Sequence, residues 1–186
     1  MTENCDRTNS LNLIQPELIH DILAGYRLPL MGKHGVSHWG RVLDIGLRLA
    51  NSTGAQSRIV MLFAIFHDAR RETEYSDPGH GRRGADLATI LRPKYSPISD
   101  REFELLRYAC EYHADGLTNA DITVQTCWDA DRLDLWRVGQ SPQSDLLCTQ
   151  AARDMEIQKW AMGRGLSNHT PAYITEKWLK GLDHPT

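Results

Sequence analysis

Apolar residues recur every three or four positions along most of this chain, which is the spacing of an α-helix with one buried face. Segment 16–28 opens with a proline suited to a first helical turn and carries such a stripe. Segment 37–50 follows two glycine breaks and is closed by Gly54, a residue typical of a helix C-cap. Segment 57–70 is apolar on nearly every side, so we predict that it lies at the centre of the fold.

The second half of the chain continues the helical period between turn-rich segments. Pro93 and Pro97 are predicted to bound a loop, and Ser99 with Asp100 forms a favourable start for the helix that follows. We find no strand alternation and no internal repeat, which predicts an all-α, single-domain bundle of seven or eight helices. The helices predicted in this half cover residues 81–91, 101–113, 121–138, a stretch from 143 onward, and 174–182.

Composition fits one globular domain. The 186 residues are 41% hydrophobic and 24% charged, so the chain is neither fibrous nor grossly disordered. A net charge of −3 argues against a nucleic-acid polymer as the main partner. The longest apolar run, 59–66, is too short to span a membrane, and residues 1–12 read as a flexible leader without a secretion signal. A cytoplasmic location is therefore expected, with residues 13–142 as the main domain and 143–186 as a helical extension packed on it.

The four cysteines are expected to be isolated thiols. They form no CxxC pair, and in a cytosolic chain this spacing predicts neither a disulfide framework nor a zinc knuckle. Cys110 and Cys127 fall within apolar helical patterns and are predicted to be small core residues, whereas Cys5 lies in the leader and Cys148 in the extension.

The chemistry of the chain centres on a His-Asp pair at the end of its most apolar helix. An ionised Asp68 beside His67 is unfavourable there unless a cation or hydrogen bonds compensate its charge. Imidazole nitrogen and carboxylate oxygen are ligands that suit zinc, iron, manganese and nickel. A second copy, His20-Asp21, lies in an ordinary amphipathic helix and is predicted to be a surface pair.

Two more side chains are predicted to join this pair. Antiparallel packing of the helices predicted at 37–50 and 57–70 would bring His38, near the start of the first, beside the end of the second. Asp131 lies in an acidic cluster among apolar residues, and Asp134 shares its helix face while Asp129 points elsewhere. The alternative for this cluster is a solvated helix face, which the flanking Trp128 and Leu133 disfavour.

A histidine in GVSHWGRV, the pair ending VMLFAIFHD and an aspartate in DADRLD together resemble the H…HD…D signature of the HD-domain superfamily of metal-dependent phosphohydrolases. The likeness covers residues 33–140. It implies an HD-type bundle in which the metal ligands are His38, His67, Asp68 and Asp131.

Two further segments are similar to the binuclear members of that superfamily. HGRRGADL resembles their His-x-x-x-Gly-Ala segment, and EYHADG resembles a second histidine segment. The likeness adds His80 and His113 as ligands and implies two divalent metals per chain, bridged by Asp68. Iron or manganese is expected, with magnesium, nickel, zinc or cobalt as alternatives. Without the resemblance, His80 reads as a turn residue and His113 as a residue at a helix C-terminus.

The resemblance implies hydrolysis of a phosphoester or phosphoanhydride in a small nucleotide-like metabolite by a metal-activated water. The usual lysine of the family motif is replaced in HDARR by Arg71, a candidate catalytic residue that can grip phosphate and would share the face of His67 if the helix continued. The GYP tripeptide that marks the cyclic-di-GMP phosphodiesterases of this superfamily is missing after EYHADG, which argues against that activity. The other candidate substrate-binding residues, whose alternative role is solubility and ion pairing, are Arg41, Arg70, Arg82 and Arg83.

Two other functions remain open from the sequence. The six-ligand arrangement also occurs in mixed-valent di-iron oxygenases of the same superfamily, and a non-catalytic metal-binding regulatory domain would keep the fold without the reaction. A small phosphorylated substrate is the expected partner, and a homodimer is left open.

Overall fold

The computed structural model describes residues 14–95 and 98–181, and this part of the chain is helical without any strand. The predicted all-α fold is confirmed, whereas the predicted leader and Cys5 lie outside the described residues. The elements are α1 (Pro16–Leu23), α2 (Val36–Thr53), α3 (Ser57–Phe66), α4 (His80–Tyr95), α5 (Asp100–Tyr112), α6 (Ile122–Leu133), a 3-10 helix (Leu135–Val138), α7 (Met155–Leu166) and a π-helical turn (Ile174–Trp178).

Helix α3 forms the centre of the molecule, as its all-round apolar sequence predicts. Every residue from 59 to 66 is buried, and α2, α5 and α6 pack around it. Gly54 adopts the left-handed conformation with φ of 73°, which ends α2 and turns the chain back into α3. The resulting antiparallel hairpin places the first turn of α2 beside the last turn of α3.

The start of α4 lies unusually close to the ends of two other helices. A Cβ atom on Gly84 would lie 2.3 Å from the carbonyl oxygen of Phe66, at the end of α3. A Cβ on Gly81 would lie 2.3 Å from the carbonyl oxygen of Cys110, near the end of α5. Only glycine permits these two contacts, so the sequence HGRRG brings three helix ends to one place.

The central helix is shorter than predicted. It ends at Phe66, and residues 67–70 form turns in which the amides of Ala69 and Arg71 donate to carbonyls three residues earlier. The helix does not continue to Arg71, so the condition for Arg71 to share a helix face with His67 is not met. The side chain of Arg71 nevertheless reaches the same region from the turn.

Three other boundaries differ from the sequence prediction. Helix α4 runs on to Tyr95 and includes Pro93 in its last turn, where we expected a loop. Segment 121–138 is divided at Asp134 into α6 and the 3-10 helix. Residues 144–153 form turns instead of a helix, because the buried carboxylate of Asp129 accepts hydrogen bonds from the backbone amides of Cys148 and Thr149. Asp129 thus points away from Asp131, as its position predicts.

The cysteines behave as expected where they are described. Cys110 and Cys127 are buried in the core, and Cys148 is a half-buried free thiol. None of the described helices has both the length and the apolar character needed to cross a membrane. The C-terminal segment, residues 154–181, packs against α2 and α6 and covers the same core as these helices.

Candidate metal centre

The structure brings the six predicted ligand side chains together. Five of them lie at helix ends, where the α2–α3 hairpin meets the start of α4 and the end of α5, and α6 contributes the sixth. All are buried except the carboxylate of Asp131, which is 17% exposed. The six are His38 in the first turn of α2, His67 and Asp68 just after α3, His80 at the start of α4, His113 just after α5, and Asp131 in α6.

Each of the four histidines is held by its outer ring nitrogen, Nδ1. In His38 this nitrogen lies 2.7 Å from Oδ2 of Asp134, and in His67 it lies 3.1 Å from the carbonyl oxygen of Phe63. In His80 and His113 it lies 2.7 Å from the carbonyl oxygens of residues 77 and 110. A carbonyl or carboxylate oxygen accepts only, so Nδ1 is the protonated nitrogen in the tautomer that these contacts assign.

The inner nitrogens, Nε2, then face one another as lone pairs. Nε2 of His38 lies 3.1 Å from Nε2 of His67, and Nε2 of His80 lies 2.9 Å from Nε2 of His113. Two facing imidazole lone pairs repel each other unless a proton or a metal cation lies between them. Metal-bound histidines in proteins characteristically donate their other N–H to a carbonyl or carboxylate, as these four do.

Asp68 lies between the two histidine pairs, with one oxygen towards each. Its Oδ2 is 3.5 Å from Nε2 of His38 and 3.8 Å from Nε2 of His67, and its Oδ1 is 3.4 Å from Nε2 of His80 and 3.7 Å from Nε2 of His113. Ligand atoms about 2.0–2.2 Å from one divalent ion are separated from each other by about 3–3.5 Å. Asp68 therefore offers one oxygen to each histidine pair, within buried groups that could hold a metal ion.

Asp131 completes the first of the two groups. Its Oδ1 lies 3.4 Å from Nε2 of His38 and 3.8 Å from Nε2 of His67. The six predicted ligands thus form two groups that could each hold a metal ion, which are His38, His67 and Asp131, and Asp68, His80 and His113.

The electrostatics of the cluster suit a cation. Burial lowers the pKa of His67 to about 3, so its imidazole is neutral at neutral pH and available as a ligand. Burial also raises the pKa of the Asp68 and Asp131 carboxyls, but the surrounding imidazoles outweigh this effect and hold both pKa values well below the usual range. Neutral imidazoles and ionised carboxylates are the protonation states that bind divalent metals.

Beyond the six side chains, a buried ion pair fixes the orientation of His38. Oδ2 of Asp134 accepts from Nδ1 of His38, and Oδ1 accepts a 2.7 Å hydrogen bond from Nε of Arg41. Arg41 in turn donates to the carbonyl oxygen of His169 at 2.9 Å and to the side chain of Asn168. Sequence analysis placed Asp134 on the right helix face but missed this role, because the role depends on the helix ending there.

The predicted substrate arginines have different surroundings. Arg41 is 1% exposed and fully engaged with Asp134 and the C-terminal segment, so it positions a ligand and does not face a substrate. Arg70 donates to the carbonyl oxygen of Ile22, and Arg83 pairs with Asp77 at 2.6 Å, so these two guanidinium groups stabilise loops. Arg71 and Arg82 are the candidates that line a cavity.

Arg71 lies at the second histidine pair. Its Nη1 is 3.4 Å from Oδ1 of Asp68 and 3.2 Å from Nε2 of His80, and its Nη2 donates to the carbonyl oxygen of Tyr75 at 2.7 Å. These contacts aim the guanidinium at the metal cluster. Arg82, by contrast, is largely exposed at the rim, 4.0 Å from Glu111.

An open cavity of about 610 Å³ adjoins this side of the cluster. Its size suits a small metabolite. Besides Arg71 and Arg82, it is lined by Ser76, Asp77, Pro78, Gly79, His80, Gly81, Glu111, Tyr112, Ala114 and Asp115.

His34 was not among the predicted site residues. Its Nδ1 lies 2.8 Å from Oδ2 of Asp68, and with His38 and Asp68 it forms a third group that can hold a metal ion. Arg137 lies 3.4 Å from the same nitrogen. Because His34 lies in a loop between α1 and α2, no helical period marks it, and only its proximity to His38 in the sequence was a signal.

Comparison with protein-family models, with curated proteins and with solved structures gives no match. The described residues thus establish an all-α chain with buried His/Asp groups able to hold a metal ion, while membership of the HD-domain superfamily stays a prediction from the sequence motifs.

Proposed function

We propose that this protein is a phosphohydrolase of the HD-domain superfamily that uses two divalent metals, iron or manganese, to cleave a phosphoester or phosphoanhydride of a small nucleotide-like metabolite. The observation that carries the proposal is the convergence of four imidazole Nε2 atoms around the carboxylate of Asp68. When bound, such a metal pair supplies Lewis acidity and lowers the pKa of a coordinated water to about 7.

Arg71 supports a phosphate-containing substrate. Its guanidinium is nearly buried, touches the second histidine pair and borders the open cavity. A guanidinium donates in a planar fork that matches two phosphate oxygens, and it stays charged at any physiological pH. In the proposed reaction, Arg71 binds and orients the phosphate and offsets the negative charge that develops on its oxygens.

The remaining residues keep the site in its working protonation state. Asp68 and Asp131 are ionised, and the outer contacts of the histidines fix each Nε2 as an acceptor. The cluster is buried apart from the Asp131 carboxylate, and the open cavity adjoins it beside His80 and Arg71. The substrate phosphate therefore enters from the side on which Arg71 lies.

The proposal is tested by measuring release of inorganic phosphate from a panel of nucleotides, dinucleoside tetraphosphates and sugar phosphates by protein loaded with Mn²⁺ or Fe²⁺. We expect turnover by the wild type and by Asp21→Asn, and loss of turnover in Asp68→Asn. Asp21→Asn is the matched control for Asp68→Asn, because both aspartates directly follow a histidine.

Oxygen distinguishes the main alternative. Phosphate release that is the same with and without oxygen supports hydrolysis. Oxygen consumption by iron-loaded protein, without hydrolysis of any phosphate ester in the panel, would contradict the proposal and favour a di-iron oxygenase.

A further inference from the structure

A second cluster of polar side chains, Tyr26, His34 and Glu74, lies beside the metal centre: Tyr26 packs edge-on against Trp39, and Nε1 of Trp39 donates to the carbonyl oxygen of His34 at 2.8 Å. The cluster lies on the Oδ2 side of Asp68, where His34 makes its 2.8 Å contact, whereas Arg71 and the open cavity lie on the Oδ1 side. Nε2 of His34 is 3.9 Å from Oε2 of Glu74, which is too long for a hydrogen bond.

Two polar atoms of this cluster lack a partner. Among the described residues, neither the hydroxyl of Tyr26 nor Oε2 of Glu74 makes a hydrogen bond, although both atoms are shielded from solvent. Leaving a buried polar group unsatisfied is unfavourable by about 1–3 kcal/mol, so unpartnered atoms beside a candidate site point to a missing ligand group.

The two atoms have complementary requirements. A carboxylate oxygen can only accept, and a tyrosine hydroxyl can donate. Burial, followed by the charges of Asp68 and Glu74, raises the pKa of Tyr26, so the hydroxyl keeps its proton. A ligand hydroxyl, which donates once and accepts, matches this donor–acceptor pair.

The loop before α2 lies against the carboxylate of Glu74. A Cβ atom on Gly32 would lie 2.2 Å from Oε1 of Glu74, so the backbone of this loop approaches the carboxylate as closely as glycine allows. The carboxylate of Glu74 thus lies between this loop and His34, and its side chain is 22% exposed.

We propose that Tyr26 and Glu74 form a substrate subsite that binds a hydroxyl group on the carbon skeleton next to the phosphate, with His34 as its wall. The inference rests on the proposed function, because it presumes a phosphate at the metal centre. The subsite selects phosphate esters of hydroxylated carbon chains and disfavours condensed phosphates, whose second phosphate would face the Glu74 carboxylate.

The test uses phosphonates, whose C–P bond a phosphohydrolase does not hydrolyse. Protein loaded with Mn²⁺ is titrated calorimetrically with 2-hydroxyethylphosphonate and with propylphosphonate, which has the same number of heavy atoms but no hydroxyl. Methylenediphosphonate serves as the condensed phosphate. We expect the wild type to bind 2-hydroxyethylphosphonate about tenfold or more tightly than propylphosphonate, as a hydrogen bond to a charged group provides.

Variants of the subsite test which side chains cause this preference for 2-hydroxyethylphosphonate over propylphosphonate. Glu74→Gln should reduce the preference to about threefold or less and should bind methylenediphosphonate more tightly than the wild type does. Tyr26→Phe should weaken the preference independently, which keeps the test open if the Glu74 variant fails to fold. The matched control is Glu72→Gln, because Glu72 lies in the same loop but is exposed and pairs with Arg27; its preference should equal that of the wild type.

Two negative results have different meanings. If the phosphonates bind but the hydroxyl brings no preference, or the preference survives in both variants, the subsite is wrong and the proposed function stands. If no phosphonate binds to wild type and to Glu72→Gln, both loaded with metal, the proposed function itself fails and this inference fails with it.

Discussion

The chain contains two His-Asp pairs, and the structure gives them opposite surroundings. Asp21 accepts hydrogen bonds from Nζ of Lys94 at 2.8 Å and from the hydroxyl of Tyr95 at 2.7 Å, on an exposed face of α1. Asp68 is buried and meets inward-facing imidazoles together with Arg71. The same dipeptide is thus a surface pair in one place and the middle of a candidate metal centre in the other.

The difference comes from what each helix end meets. The pair at His20 is followed by a turn, and the far end of α4 reaches its aspartate. The pair at His67 follows the most buried helix, where α2, α4 and α5 all contribute a histidine. A dipeptide therefore has little meaning by itself, and its chemistry is decided by burial and by converging helix ends.

The largest expected difference between the pairs lies in metal content and turnover. Asp68→Asn should lose most of the bound metal and lower kcat more than about a hundredfold, because even partners outside the ligand set change metal affinity or activity about 10–100-fold. Asp21→Asn should retain the metal content and kcat of the wild type. Elemental analysis and a phosphate-release assay measure both, and equal losses in the two variants would remove the distinction between the pairs.

A smaller effect on metal affinity is expected from the residues that orient His38, a member of the first metal group. Asp134→Asn should weaken metal binding about 10–100-fold, because Oδ2 of Asp134 fixes the tautomer of His38. Arg41→Met should act in the same direction through Asp134. Competition with a chelating dye measures the affinity, and unchanged affinity in both variants would show that this buried pair is only structural.

Helix α4 serves both pairs, since its first residue is His80 and its last turn holds Asp21. Gly84→Ala should destabilise the fold by about 1–3 kcal/mol, the usual effect of overpacking, because its Cβ meets the Phe66 carbonyl oxygen. Gly163→Ala is the control: a Cβ there meets nothing within 4 Å, so it should stabilise α7 by about 0.5–1 kcal/mol. Urea unfolding distinguishes the two, and equal stability would contradict the close packing of α4.

The buried pair should also give the metal-free protein a pH dependence. With its pKa lowered from 6.5 to about 3, folded His67 stays neutral while the unfolded chain takes up a proton as the pH falls below 6.5. Stability is thus fully present above pH 6.5 and is lost towards pH 3, by at most about 1.4 kcal/mol per pH unit from this group.

The neighbouring histidines modify this slope in opposite directions. Burial, and then the charge of His113, lowers the pKa of His80, which adds to the loss at low pH. Burial lowers the pKa of His113 too, but its contacts with Asp68 and Asp131 raise it overall, and this acts in the other direction. Urea unfolding of metal-free wild type and His67→Gln between about pH 7 and about pH 5 tests the sign, with a shallower slope expected for the variant. An identical slope would contradict the neutral buried state of His67.

The sequence predicts the helices that have a regular apolar period and the approach of two histidines at their ends. The helical period located α2, α3 and α5, and the order of helices indicated that His38 and His67 would meet. Helix ends were predicted less well: residues 144–153 have an apolar pattern, but the buried Asp129 carboxylate binds their amides and holds them in turns. The conformation of such segments is determined by tertiary contacts, which a local sequence pattern does not indicate.

The residues that sequence analysis missed lie in loops or act through other side chains. His34 and Glu74 are on segments without any period, so their approach to Asp68 follows only from how two loops fold over the helix ends. Arg41 lies among the apolar residues of α2 and was expected to face a substrate, yet its partners are Asp134 and the C-terminal segment. Both cases depend on contacts between residues distant in the sequence.

The central claim is that the buried pair, and not the exposed one, belongs to a centre for two metals. Its most direct test is elemental analysis of protein purified without a metal-affinity tag or chelator, expressed as metal atoms per chain for wild type, Asp21→Asn and Asp68→Asn. The account predicts about two atoms in the first two proteins and a loss in the third. No metal in the wild type, even after reloading with Fe²⁺ or Mn²⁺, or the same content in all three proteins, would contradict it.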